Sequence, residues 1–209
     1  VIIFNGEIYN HLVLRKNLKT YTCKTLCDTE TFLALYIEYG ISALDMMDGM
    51  FAFIIYDIEN NKLILGRDRL GKKPIYYYKN ENQLFISSEI KAINDALPSL
   101  EVSQSAITTY LRVGFFSPTS TPYTNVFEVM PGHVYEFNIS SLKLHKTQYF
   151  SISDQYNTSF KSSAQNSLLE LDQILHKSVK DRLLSSDLDV GVFLSGGIDT
   201  LTMFSYIKK

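Results

Sequence analysis

Residues 50–57 read Met-Phe-Ala-Phe-Ile-Ile-Tyr-Asp, an apolar run too continuous for a strand with one face in water. A half-wetted strand alternates apolar and polar residues, whereas a strand covered on both faces does not. The run therefore predicts a buried central strand. After the polar turn Asn60-Asn61 come residues 62–67, and 75–78 and 84–87 are further short apolar stretches divided by polar turns. Neighbouring hairpins in an antiparallel sheet are the expected result. One more hairpin is expected from 126–129 and 134–137 across Pro131-Gly132, with 145–150 closing the region.

Helices are expected around these strands. Asp28 precedes Phe32, Leu33, Leu35, Tyr36 and Tyr39, with Gly40 after them, so Asp28 reads as an N-cap and Gly40 as the matching stop. A short helical piece over 41–47 leads into the central strand, and 88–96 and 104–111 are helical, the second capped by Ser103. Val1 to Phe4 are strand formers followed by Asn5-Gly6. Asn-Gly alone signals a hairpin, but Ile8, Leu12, Arg15 and Leu18, with Glu7 in the opening turn, suit an amphipathic helix better than a returning strand. Asn5-Gly6 is therefore placed between a strand and a helix start. There a glycine amide and an asparagine carboxamide can both point at negative charge developing on an oxygen.

The C-terminal part has a different character. Residues 151–165 are rich in Ser, Asn, Gln and Lys, and the domain boundary is placed there, giving domains 1–160 and 161–209. Leu168, Leu171, Ile174, Leu175, Val179, Leu183 and Leu184 then recur at helical spacing. Residues 190–194 read as a strand, and Ser-Gly-Gly-Ile-Asp-Thr as a turn able to hold a phosphate before another helix. Helix, buried strand, turn, helix is the opening of a parallel α/β domain.

With 209 residues, 45% of them apolar and 20% charged, the chain can build a real core. A net charge of -2 and a pI near 6.1 give no electrostatic reason to expect nucleic acid or an anionic membrane surface. No apolar run approaches the ~20 residues that span a bilayer, and no secretory signal is visible at the start, so the cytoplasm is the expected compartment. Cys23 and Cys27 have poor zinc spacing and read as reduced structural thiols. Residues 66–73 approach a nucleotide P-loop, but Lys73 stands where a magnesium-binding hydroxyl is needed and Pro74 blocks the helix that should follow. The basic residues there, Arg67, Arg69, Lys72 and Lys73, are expected to be solvated or paired with Asp68.

Taken in order, Asn5-Gly6-Glu7-Ile8-Tyr9-Asn10, Asp28-Thr29-Glu30, Gly49-Met50-Phe51-Ala52-Phe53, Arg67-Asp68-Arg69-Leu70-Gly71-Lys72-Lys73-Pro74, Ser88-Glu89-Ile90-Lys91-Ala92, Pro131-Gly132-His133 and Ser195-Gly196-Gly197-Ile198-Asp199 closely resemble the glutamine-hydrolysing asparagine synthetases. The resemblance spans almost the whole chain. It implies an α+β N-terminal-nucleophile αββα sandwich, incomplete here, followed by the opening of an α/β parallel-sheet ATP-pyrophosphatase domain. Carried onto matching positions, Asn5 and Gly6 are the oxyanion hole of glutamine hydrolysis, while Glu7 and Asp28 hold the glutamine, Asp28 facing its α-ammonium.

Leu194, Ser195, Gly196, Gly197, Ile198, Asp199 and Thr200 would bind ATP with Mg2+, Asp199 serving the magnesium or the phosphate. Aspartate would be converted to asparagine through an aspartyl-AMP intermediate, using ammonia from glutamine. The resemblance allows a homodimer.

In the family the glutaminase nucleophile is a cysteine at the mature amino terminus, and no residue here matches it. The chain is expected to be a fragment, inactive alone. The hydroxyl residue that the family usually carries after Thr200 is replaced by Leu201. A related enzyme that amidates another carboxylate, such as a surface sugar acid, and a non-catalytic glutamine- or partner-binding module are the alternatives.

Overall fold

The structure, a computed structural model, describes residues 1–156, 163–186 and 188–207. The boundary expected at 160/161 lies outside the described residues. Two antiparallel sheets form the centre of the molecule. In the first, β1 (Ile2–Ile8), β2 (Gly49–Asp57) and β3 (Lys62–Arg67) stand side by side, followed by β7 (His133–Asn138) and β8 (Leu144–Gln148). In the second, β4 (Tyr76–Lys79) lies between β5 (Leu84–Ser87) and β6 (Val126–Glu128).

The continuous apolar character of β2 follows from its position. Phe51, Phe53 and Ile55 point to one face, where they pack with Phe32 and Leu35 of α2 (Asp28–Tyr39), Leu14 of α1 (His11–Arg15), and Ala43 and Leu44 of α3 (Ala43–Met46). The Phe32 and Phe53 rings meet edge to face at 4.8 Å. Ala52 and Ile54 point to the other face, toward the second sheet, in a core shared with Leu65, Tyr135 and Phe137 and with Ile75, Tyr77 and Val129. Tyr77 crosses between the sheets, its ring 5.9 Å from Tyr135 and 5.5 Å from Phe137. Outside the second sheet, α4 (Ile90–Ala96) lies against β4 and β5 and buries Ile93. The layers run helix, sheet, sheet, helix, the expected αββα sandwich. After it come α5 (Gln104–Val113), whose Ser103 cap accepts from the Ala106 amide at 3.3 Å as expected, and a short α6 (Ile152–Tyr156).

Three local expectations need correction. Residues 126–129 and 134–137 do not pair with each other: β6 pairs with β4 and β7 with β3, so Pro131-Gly132 carries the chain from one sheet to the other. Its geometry is fixed from outside the turn, the Gly132 amide donating to the Asp68 carbonyl at 2.9 Å. Asp28 is the first residue of α2 rather than its cap, which is Cys27. No strand forms over 190–194. A strand needs a neighbour for its backbone groups, and none lies beside this segment among the described residues. What forms instead is a helix pair, α7 (Ala164–Leu184) against α8 (Ile198–Ile207), joined by a bond from the Tyr206 hydroxyl to Asp172 Oδ1 at 2.7 Å.

The loop before α2 is pinned by two carboxylates. Glu38 accepts from the amides of Lys19, Thr20 and Tyr21, and Glu30 from the amides of Lys24 and Thr25, the Thr25 hydroxyl and the Tyr21 hydroxyl. The Lys24 amide, followed by the Thr25 hydroxyl and amide, holds Glu30 down at about 2, against an ordinary 4.5. A carboxylate depressed in the folded state stabilises it above its ordinary pKa and ceases to do so as pH falls through the folded value. Protection of the Lys24 and Thr25 amides from hydrogen exchange should therefore be full above pH 4.5 and fall as the pH is lowered toward 2. Unchanged protection factors across that window would contradict the assignment.

Candidate functional site

The site is built on β1, the outer strand of the five-stranded sheet. In an antiparallel pair, alternate residues exchange hydrogen bonds with the partner while those between them point their amides away. The Tyr9 amide donates to the Asp48 carbonyl, and the Tyr56 amide to the Val1 carbonyl. With Ile2 opposite Ile55 and Gly6 opposite Phe51, the odd-numbered residues of β1 face β2, and the amides of Phe4, Gly6 and Ile8 point along the outer edge. The Ile8 amide confirms the direction, donating to Asp28 Oδ2 at 3.0 Å.

Gly6 allows this arrangement by its lack of a side chain. A Cβ there would lie 2.1 Å from the Met50 carbonyl oxygen and 2.6 Å from the Phe51 Cα, so β1 comes closer to β2 at this point than any other residue permits. Asn5-Gly6 thus sits inside a strand that runs on to Ile8, not in a turn before a helix, and α1 starts only at His11. The Gly6 amide remains exposed, because an edge strand presents amides as a helix start does.

Asn5 and Glu7 project from one face of β1. Asn5 is exposed and lines a cavity of about 180 Å³ with Ile3, Ile54, Ile86, Ser87 and Ser88. Glu7 lines a second cavity of about 470 Å³ with Tyr9, Met50, Lys72 and Arg182. Asp28, held on the strand edge by Ile8, stands one amide further along the row from Gly6. Three of the four residues expected at the glutamine site, Asn5, Gly6 and Glu7, thus lie on the second half of β1, and the fourth, Asp28 at the start of α2, is bonded to the end of that strand. Asn10 anchors its end: the side-chain amide donates to the Met46 carbonyl at 2.9 Å, and its oxygen accepts from the Asp48 amide at 3.0 Å.

Residues 67–73 form the wall beside this strand. Asp68 is 1% exposed, and its carboxylate accepts from the backbone amides of Phe51, Leu70, Lys72 and Lys73 at 3.0–3.2 Å. Arg67, 8% exposed, donates to the carbonyls of Lys73, Gly71 and Val129 and pairs with Glu128 at 2.7 Å. The expected pairing of these basic residues with Asp68 is thus corrected for Arg67: Asp68 folds the loop through its amides, and Arg67 folds it through its carbonyls. The tight Arg-Asp-Arg-Leu-Gly-Lys-Lys turn explains the P-loop-like spacing without a phosphate.

The other group of expected site residues lies at the start of α8. Ser195, Gly196 and Gly197 make a tight turn, Gly196 at φ +78°, a conformation that suits glycine. Ser195 Oγ lies 3.2 Å from Thr200 Oγ1 and accepts from the Gly197 amide, and Thr200 donates to the Gly197 carbonyl at 3.0 Å. Leu194 and Ile198 flank the turn, both exposed, and Asp199 is in the first turn of the helix. Among the described residues no group of three or more His, Cys, Asp or Glu could hold a metal ion. A single carboxylate beside a glycine turn nevertheless fits magnesium, which takes one or two protein carboxylates and completes its shell with phosphate and water. No helix among the described residues is long and apolar enough to cross a membrane, and both cysteines are free. Arg182, which lines the Glu7 cavity with Lys72, carries no signal in the sequence, because a lone basic residue on a helix does not reveal what faces it.

Residues 1–150 match the family model described as "Glutamine amidotransferase domain", and residues 170–204 match "Asparagine synthase". Asparagine synthetase [glutamine-hydrolyzing] 1 of Bacillus subtilis is 35% identical over all of this chain and 32% of its own length. Asparagine synthetase [glutamine-hydrolyzing] 2 of Oryza sativa is 33% identical over all of this chain and 30% of its own length. The chain thus spans about a third of the length of these curated relatives. It belongs to the glutamine amidotransferase family, in the branch in which that domain is followed by an asparagine synthase segment.

Proposed function

We propose that these residues supply the glutamine site and the opening of the ATP site of a glutamine-hydrolysing asparagine synthetase. The observation that carries the reading is the row of amides along the outer edge of β1. Gly6 N–H points outward along that edge, Asn5 is the exposed residue before it, and Asp28 is fixed on the same edge through Ile8. Attack on the side-chain carboxamide of glutamine turns its oxygen into an oxyanion, and two donors already in place stabilise that charge without reorganising. The nucleophile is assigned to the amino-terminal cysteine of the family, whose own α-amine serves as base, rather than to Cys23 or Cys27. Asp28 carries the charge to meet the α-ammonium of glutamine, and Glu7 lies on the face next to it.

At the other end, the Ser195, Gly196 and Gly197 turn offers backbone amides and hydroxyls to a pyrophosphate at the N-terminus of α8. Asp199, in the first turn of α8, would serve its magnesium or its phosphate. ATP there would activate a carboxylate, which is otherwise a very poor acyl donor at neutral pH. The ammonia released from glutamine would then displace AMP, and aspartate is the acceptor that the relatives' names favour.

The test is an assay of the full-length protein with glutamine, ATP and magnesium. AMP release that requires aspartate, with one glutamate formed per asparagine, is the expected result. Glutamate formation with no AMP release on adding aspartate would transfer the reading to another acceptor carboxylate, and neither reaction would overturn it.

A further inference from the structure

Helix α7 meets the chain just beyond the end of β1, the strand that carries Asn5, Gly6 and Glu7. The Arg182 guanidinium lies 4.6 Å above the centre of the Tyr9 ring. Arg182 also donates to the Ser178 carbonyl and hydroxyl one turn earlier, so its planar head is held by its own helix before it meets Tyr9. Five residues earlier, Lys177 Nζ stands 3.8 Å from Asp48 Oδ2. Tyr9 and Asp48 are themselves bonded, amide to carbonyl, at 2.8 Å. Both contacts from α7 therefore fall on the one pair that closes β1 against β2.

Tyr9 is two residues beyond Glu7, and Glu7, Tyr9, Lys72 and Arg182 line the same cavity of about 470 Å³. The far wall of that cavity is the C-terminal end of α7, with Ser185 and Leu188. A shift of α7 thus moves the group stacked on Tyr9, and Tyr9 moves the end of the strand that bears Glu7. Burial raises the Tyr9 pKa, opposed by the Arg182 charge, in keeping with a cation seated against the ring.

We infer that Arg182 is a positioning residue of the glutamine site. By stacking on Tyr9 it sets the register of Glu7, and it makes glutamine binding depend on where α7, the helix that leads toward the ATP turn, lies against the amidotransferase body. The inference rests on the function proposed above. A guanidinium is suited to the task because its flat face stacks on a ring while its edge is bonded elsewhere; an ammonium keeps the charge over the ring but lacks the planar fork.

The experiment uses the full-length protein and steady-state kinetics with glutamine and, separately, with ammonium as nitrogen donor. Arg182→Ala should raise the KM for glutamine about 3- to 10-fold while leaving kcat within about twofold, the signature of lost binding common to ground and transition states. Arg182→Lys should restore part of the loss. Tyr9→Leu should match Arg182→Ala, and the double variant should be no worse than either single one, since both remove the same contact. Ammonium-dependent synthesis should not change. A glutamine KM unmoved in Arg182→Ala would overturn the inference alone, as would equal losses with glutamine and ammonium, which would mark a structural role. A wild-type protein that hydrolyses no glutamine would overturn the functional reading as well.

Discussion

Asp68→Ala should cost the amidotransferase body about 4 kcal/mol or more, the largest stability loss expected from any single substitution outside the apolar core. The carboxylate is 1% exposed and accepts four backbone amides. Hydrogen bonds to a charged group contribute about 1.5–3 kcal/mol each, and a donor left unsatisfied in the interior carries its full desolvation penalty. The four are not additive, because the loop would relax toward water once released. Even so, the loss falls in the range that marks a broken buried network.

Asp68→Asn should fall between wild type and Asp68→Ala, since one carboxamide oxygen still accepts but its NH2 faces donors. Urea unfolding of the 209-residue chain reads the difference as a shift in midpoint at constant slope. The effect should reach the glutamine site, because the Phe51 amide is one of the four bonds and Phe51 lies opposite Gly6. A midpoint within the error of wild type would show that the loop is held by Arg67 alone.

The parts of this fold visible in the sequence are those where a short pattern admits one solution. The run Phe51-Ala52-Phe53-Ile54-Ile55 has no polar face to expose, and β2 is a central strand with apolar cores on both sides. Gly40 ends α2, and Ser103 caps α5. Where a pattern admits two solutions, long-range contacts decide. The Pro131-Gly132 step has the form of a hairpin, but Val126 finds Tyr78 while Val134 finds Gly66, and no local signal distinguishes one sheet from two. Asn5-Gly6 has turn chemistry, yet the packing of Ile2, Phe4 and Ile8 with Phe32 and Phe51 keeps the strand straight through it.

The candidate site shows the same division. Motif order named Asn5, Gly6, Glu7 and Asp28, and the structure puts the first three on β1 and bonds the fourth to the end of that strand. Their geometry was not legible: Asp28 looked like a cap because its bond to the Ile8 amide, twenty residues away, leaves no trace in local sequence. The segment over 190–194 is the reverse case, a strand pattern without a ladder, with Phe193 96% exposed.

The second large effect concerns catalysis. If the outer edge of β1 is an oxyanion hole, removing its side-chain donor while leaving its backbone donor in place should slow glutamine hydrolysis about 10²- to 10³-fold, the usual loss for one such donor. Asn5 is exposed on its strand, so Asn5→Ala should disturb neither the pairing of β1 with β2 nor the core on its far face. The loss should fall on kcat, with the KM for glutamine changed little, because the bond strengthens only as charge develops on the oxygen. The decisive measurement is therefore kcat for glutamine hydrolysis by full-length Asn5→Ala, taken beside its ammonium-dependent synthesis. The first should drop at least a hundredfold and the second should stay at the wild-type rate. A glutaminase kcat within about twofold of wild type would remove Asn5 from the chemistry and, with it, the assignment of this strand edge.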